Sequence, residues 1–183
     1  MNVEAIIIDG MAFALPIFIM AIGGIYSEKS GITMLALEGL QGFGAFTGAI
    51  AVLILSPVIG ENSPKLIYIA IFAAMIGGMI YSMLHAVLSI HFLANQVISG
   101  VVVNILATAL TTFLTSLLNE SLTGEASNKI QLGAAPRFTV PYLSSVPILG
   151  AFFKDVYIFV PFIAFFALIA WYVLYKTPYG LRL

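Results

Sequence analysis

Cysteine is absent from the chain. That excludes disulfides, thiolate metal sites and a cysteine nucleophile, and leaves the compartment open. Charge is scarce as well. Only 8% of the 183 residues are Asp, Glu, Lys or Arg, where soluble domains carry about 25%. Hydrophobic residues make up 61%, and the mean hydropathy is +1.10. A soluble globule could not cover such a core with so few charges, so the composition describes an integral membrane protein. Its class is all-α, because spanning segments must satisfy their own backbone groups. The net charge of −1 gives no basic surface for nucleic acid. No Lys or Arg precedes the first apolar run in MNVEAIIIDG, so that run is expected to stay in the membrane and not to be cleaved as a signal peptide.

The patterns of enzyme chemistry are missing too. No G-x-x-x-x-G-K-[ST] loop, G-x-S-x-G elbow or H-E-x-x-H helix occurs, so the chain has no P-loop for ATP and no familiar hydrolytic centre. His85 and His91 are six residues apart, which sets them about 120° apart around a helix. That makes a poor metal pair, and no other metal ligands suggest themselves. His85 is expected as a satisfied interior histidine and His91 as an interfacial one. An intramembrane enzyme would need an acid–base or nucleophile constellation on one face, and none is present.

What is present is a series of apolar runs. A spanning helix needs roughly 20 mostly apolar residues. On that measure helices are expected over about 5–26, 32–56, 66–90, 97–118 and 156–175. Asp9-Gly10 and Pro16 interrupt the first, so its membrane part is expected to start nearer Met11. The expected fold is a single polytopic bundle of about five transmembrane helices. Residues 119–155 form one long connection containing Pro136, Pro141 and Pro147. Loops of this length are usually functional or disordered. Its stretch PYLSSVPILGAFF is too apolar for a tail, and is expected to fold back on the membrane or cap the bundle. Five spans put Lys29, Lys176 and Arg182 on one face and Lys65, Lys129, Arg137 and Lys154 on the other. Counting only short loops and tails favours KTPYGLRL in the cytoplasm.

Polar residues inside apolar runs are costly and draw attention to function. Glu38, Gln41, Gly42, Ala45, Gly48 and Ala49 recur at spacings that share one helix face. Gly44 and Gly48 add a small-xxx-small pair for close helix approach. This face is expected to be a packed seam, with Glu38 either a structural acid or a group beside a solute path. Gly100, Asn104, Thr108, Thr111 and Thr115 form a second stripe, in steps of four, four, three and four. Such a stripe faces protein or water. It either hydrogen-bonds between helices or lines the path of a polar solute.

Three stretches carry a family resemblance: AIGGIYSEKSGITMLALEGLQGFGAFTGA, LHAVLSIHFLANQVISGVVVNILATALTTFL and YKTPYGLRL. In this order and spacing they resemble the membrane permease of a nucleoside-type ABC importer, in the wider group of ribose and branched-chain amino-acid permeases. The matching motif residues are Ser27, Glu28 and Gly31; Gly39; Asn95, Gln96, Ser99 and Gly100 with Asn104; and Thr177, Gly180 and Arg182. Thr33-Met34-Leu35-Ala36 departs from the polar Asn-Ile-Gly usual between the first two elements. The resemblance implies a non-enzymatic transport subunit that binds no cofactor itself, while partner subunits use ATP. It implies as partners a cytoplasmic ATPase, a second permease chain and an extracellular substrate-binding lipoprotein. It also implies a multi-pass protein of the plasma membrane, with its N-terminus outside, the long loop outside and KTPYGLRL in the cytoplasm. It covers only the N-terminal part of such a permease, so the chain is expected to stop short of the ATPase-coupling segment. A sugar or branched-chain amino-acid permease is the nearer alternative, and a non-transporting membrane assembly protein the more distant one.

Overall fold

The computed structural model of the chain describes residues 3–60, 63–124, 126–130, 137–138, 156–157 and 160–183. They fall into two compact units. One contains α2 (Leu37–Ile59), α3 (Lys65–Ala86) and α4 (Gln96–Thr123). The other contains α1 (Val3–Lys29), α5 (Val160–Lys176), α6 (Pro178–Arg182) and the two-residue strands β1 (Arg137–Phe138) and β2 (Val156–Tyr157).

In the unit of α2, α3 and α4 the usual arrangement of side chains is inverted. Phe72, Met79, Ile80 and Met83 of α3 and Ile98, Val102, Ile105 and Phe113 of α4 are exposed. Beside a few large residues (Phe46, Leu66, Tyr81 and Val103), the buried positions are mostly small or polar, among them Gly39, Gly44, Gly48, Gly77, His85, Ser89, Ser99 and Thr115. Small and polar inside, large and apolar outside is the distribution expected of helices packed in lipid. Leu37–Ile59, Lys65–His91 and Gln96–Leu122 are the three helices among the described residues long and apolar enough to cross a membrane, and Phe162–Lys176 is a shorter apolar helix.

The Gly44–Gly48 pair lets α3 come close. A Cβ on Gly44 would lie 2.9 Å from the Ala74 carbonyl oxygen, and one on Gly48 would lie 2.8 Å from that of Ala70. Between them, Thr47 donates to the carbonyls of Gly44 (2.8 Å) and Ala73 (3.3 Å). Farther along, Phe43 stacks on Tyr81 with centroids 4.4 Å apart. The Tyr81 hydroxyl donates to the Val103 carbonyl at 2.9 Å, which ties α3 to α4. Ala36, Tyr81, Val103 and Ala107 form the buried cluster at this junction.

Several boundaries differ from expectation. The second helix starts at Leu37 and not at Ile32, because Ile32–Ala36 is held in a non-helical path by partners on α4. The third runs about as far as expected, to His91, but its last turn, Val87–His91, is a π turn. There the Phe92 N–H reaches the Val87 carbonyl at 3.1 Å, and Leu93 takes a left-handed φ of 51°. The fourth runs to Thr123 and ends on Gly124, whose φ of 76° supplies the left-handed turn. The fifth begins at Val160, four residues later than expected. Val156–Tyr157 pairs antiparallel with Arg137–Phe138, and Pro161 suits the first turn of a helix. α1 is continuous across Asp9-Gly10 and Pro16. The stretch PYLSSVPILGAFF lies outside the described residues.

In the other unit the ends of α1 and α5 lie together. The Tyr26 hydroxyl donates to the Ala170 carbonyl, and the Lys29 ammonium sits 4.7 Å from the centre of the Tyr175 ring. α1 closes in a turn: Ser30 donates through its hydroxyl to the Ser27 carbonyl (2.7 Å), and the Gly31 N–H reaches the Glu28 carbonyl (3.1 Å). Gly31 has φ 82°, a conformation that glycine adopts without steric cost. At the other end Thr177 is extended, Pro178 opens α6, and Gly180 lies against the Leu174 carbonyl, where a Cβ would collide. Arg182 is exposed.

Candidate functional site

The N-terminus of α2 has no cap of its own. Ala36 occupies the cap position and offers no side-chain acceptor, where Ser, Thr, Asp or Asn would normally satisfy the free N–H groups. Asn104, on a different helix, does this work. Its Oδ1 accepts from the Gly39 N–H at 2.6 Å, and its Nδ2 donates to the Leu35 carbonyl at 2.7 Å. Gly39 admits the side chain, since a Cβ there would lie 2.7 Å from Asn104 Oδ1. α4 itself starts conventionally, with Asn95 Oδ1 accepting from Val97 (3.0 Å) and Ile98 (3.2 Å).

Two further groups on α4 meet the same lead-in. Gln96 Oε1 accepts from the Thr33 N–H at 2.7 Å. Gly100 is buried against Leu35 and Ala36. One position before Gly100, Ser99 turns toward α3. Its hydroxyl lies 3.0 Å from His85 Nδ1, and the Ser89 hydroxyl lies 3.4 Å from Nε2. His85 is 2% exposed, so both ring nitrogens have partners in an otherwise apolar setting, as buried polar groups require. His91 is exposed.

The α4 stripe therefore divides among three surroundings. Gly100 and Asn104 serve the start of α2. Thr108 donates back to the Asn104 carbonyl (3.1 Å) and borders an open groove of ≈ 590 Å³, together with Asn104, Ile105, Ala109, Thr112 and Phe113. Thr111 donates to the Ala107 carbonyl (2.8 Å). Thr111 and Thr115 line a second groove of ≈ 230 Å³ with Ala45, Phe46 and Ala49 of α2 and with Thr112, Asn128 and Ile130. A water's share of liquid volume is about 30 Å³, so even the smaller groove has room for several. The two grooves offer hydroxyls and amides without a charged side chain.

Glu38 and Gln41 are placed differently from the expected seam. Glu38 is exposed in the first turn of α2 and Gln41 is half-buried, while Gly42 and Ala45 on the same face are exposed. The face that packs carries Gly39, Gly44, Phe46 and Gly48, and its glycines admit the Asn104 side chain and the α3 backbone. A carboxylate beside a helix N-terminus is favoured by the helix dipole, which suits Glu38 to its place. Ser99 is a motif residue and His85 an expected interior histidine, but nothing in the spacing announces their meeting with Ser89 or the place of Thr112. Thr112 follows Thr111 directly, and the histidine's partners lie four and fourteen residues away.

A model of the family described as "Branched-chain amino acid transport system / permease component" matches residues 6–183. The chain belongs to this permease family. With its apolar helices, that makes it a multi-pass membrane protein. The permease chain is 35% identical over 194 residues to the guanosine ABC transporter permease protein NupQ of Bacillus subtilis (strain 168), covering 94% of this chain and 52% of that protein. It is 34% identical over 183 residues to the nucleoside ABC transporter permease protein NupC of Lactococcus lactis subsp. cremoris (strain MG1363), covering 100% of this chain and 55% of that protein. It thus spans about half the length of the curated relatives it matches. No solved structure matches it.

Proposed function

We propose that this permease chain forms part of the membrane path of an ATP-driven importer for nucleosides. The observation that carries the reading is its similarity to two nucleoside permeases over nearly all of its length. The two α4 grooves support it, because a nucleoside is uncharged and needs hydrogen-bonding groups without net charge. Thr108 and Thr112 are the groups we assign to the solute's route, with Thr111 and Thr115 beside them. We assign exposed Glu38 and half-buried Gln41 to the border of the same route, since Ala45 and Ala49 farther along α2 line the smaller groove. α1 and α5 complete five spans; at about 1.5 Å per residue, the 17 residues of α5 reach roughly 25 Å and suffice for a thin core.

The working assembly on this reading is two permease chains, a cytoplasmic ATPase that binds and hydrolyses ATP, and an extracellular binding lipoprotein, all at the plasma membrane. The N-terminus lies outside and KTPYGLRL inside. Nucleotide binding shifts the population between outward- and inward-open states, which requires differential interaction with the two. The test is uptake of labelled nucleosides in cells lacking the complete permease gene, with ribose and branched-chain amino acids as competitors. Loss of nucleoside uptake, restored by the gene, is expected. Unchanged nucleoside uptake with loss of ribose or amino-acid uptake would move the substrate to that class.

A further inference from the structure

Gln96, Gly100 and Asn104 lie four residues apart, on one face of α4, and each meets a successive part of the lead-in to α2. Gln96 holds the Thr33 N–H, Gly100 lies under Leu35 and Ala36, and Asn104 holds the Leu35 carbonyl and the Gly39 N–H. Ala36 and Val103, at the centre of the contact, are both fully buried. Non-helical backbone at membrane depth is tolerated only where protein or a water-filled cavity satisfies it, and here α4 supplies partners for the Thr33 N–H and the Leu35 carbonyl.

We infer that Thr33–Gly39 and the Gln96–Asn104 face of α4 stay joined as one rigid body throughout transport, with Asn104 as the positioning residue for the start of α2. The lead-in engages both ends of the Asn104 amide, and losing either contact would leave the Gly39 N–H or the Leu35 carbonyl without that partner, which is costly away from water. Asn104 therefore borders the larger groove with its side chain fixed by the lead-in. The transport half of this inference rests on the importer reading; the joint itself does not.

The test places Leu35→Cys and Gly100→Cys in the complete permease complex, in a background free of other cysteines. A Cβ on Gly100 would lie 3.0 Å from Leu35 Cβ, and disulfides span about 3.8 Å, so a small adjustment allows the bond. Oxidation is expected to cross-link most of the protein, read by peptide mass, with nucleoside uptake before and after reduction equal within about twofold. Uptake lost on cross-linking and regained with reductant would overturn the inference. So would a pair that reaches the membrane at the normal level but does not cross-link. If the complex carries no nucleoside at all, the importer reading fails, while the cross-linking yield still reports on the joint.

Where the cysteine pair does not accumulate, Asn104 variants decide. Asn104→Ala is expected to lower maximal uptake about tenfold, with the apparent KM changed by less than about twofold. Asn104→Asp keeps an acceptor for the Gly39 N–H and is expected to retain more uptake than Ala. Either variant altering the order in which nucleosides compete would make Asn104 a solute contact and overturn the assignment.

Discussion

Thr47 of α2 sits directly on Gly77 of α3, so that a Cβ added to Gly77 would fall 2.6 Å from Thr47 Cγ2 and closer still to its hydroxyl. The hydroxyl is held by two carbonyls, one on each helix, and has little freedom to swing away. Gly77→Ala is therefore expected to destabilise the permease by about 1–3 kcal/mol, the usual cost of overpacking. Thermal unfolding of the purified complex in detergent would read this. Thr47→Ala in the same chain should return part of the loss, and full additivity of the two changes would show that the contact is absent.

The glycines of α2 are not equivalent. A Cβ on Gly48 meets the Ala70 backbone oxygen, whereas one on Gly42 meets nothing within 4 Å. Gly48→Ala is expected to lower membrane accumulation and the melting temperature. Gly42→Ala should leave the fold intact, or stabilise it by up to about 1 kcal/mol through helix propensity. Uptake lost in a well-folded Gly42→Ala protein would show that this exposed face meets a second surface in the working assembly.

His85 and Ser99 are expected to be energetically coupled. His85→Phe fills the space but strips the Ser99 hydroxyl of its partner, at a cost of about 1–3 kcal/mol. Adding Ser99→Ala to His85→Phe should then cost less than Ser99→Ala alone. A double-mutant cycle on thermal stability measures the difference, and a coupling of zero would dissolve the pair.

Thr108→Val and Thr112→Val remove hydroxyls from the larger groove with little change of shape. Both proteins should reach the membrane at normal levels, with uptake reduced several-fold. Loss of the folded protein would instead make these hydroxyls packing groups, as in a membrane assembly protein that carries nothing.

Much of the architecture was legible because membrane packing writes simple patterns. The Gly44–Gly48 spacing needs only two positions four apart to announce a close helix contact, and α3 occupies it. His85 was legible as an interior histidine from its place in an apolar run. The start of α2 was not. Ile32-Thr33-Met34-Leu35-Ala36 carries no local signal against helix, and the residues that hold it open, Gln96 and Asn104, lie more than sixty positions away. For the same reason the α4 stripe looked like one surface. Its residues share a periodicity but not a neighbour, and only the path of the α2 lead-in separates the joint at Gly100 and Asn104 from the grooves at Thr108, Thr111 and Thr115. Glu38 was misplaced in the seam because spacing finds a face without saying which face is covered.

The π turn at Val87–His91 carries one residue more than a regular turn would. Removing one residue there would let α3 run on as ordinary helix and rotate everything after it by about 100°. The rotation would leave the local Asn95 cap intact but turn Ser99 away from His85. The chain length between His85 and Asn95 thus acts as a phase setting for α4, and a deletion in that stretch should be tolerated far less well than a substitution at any single position within it.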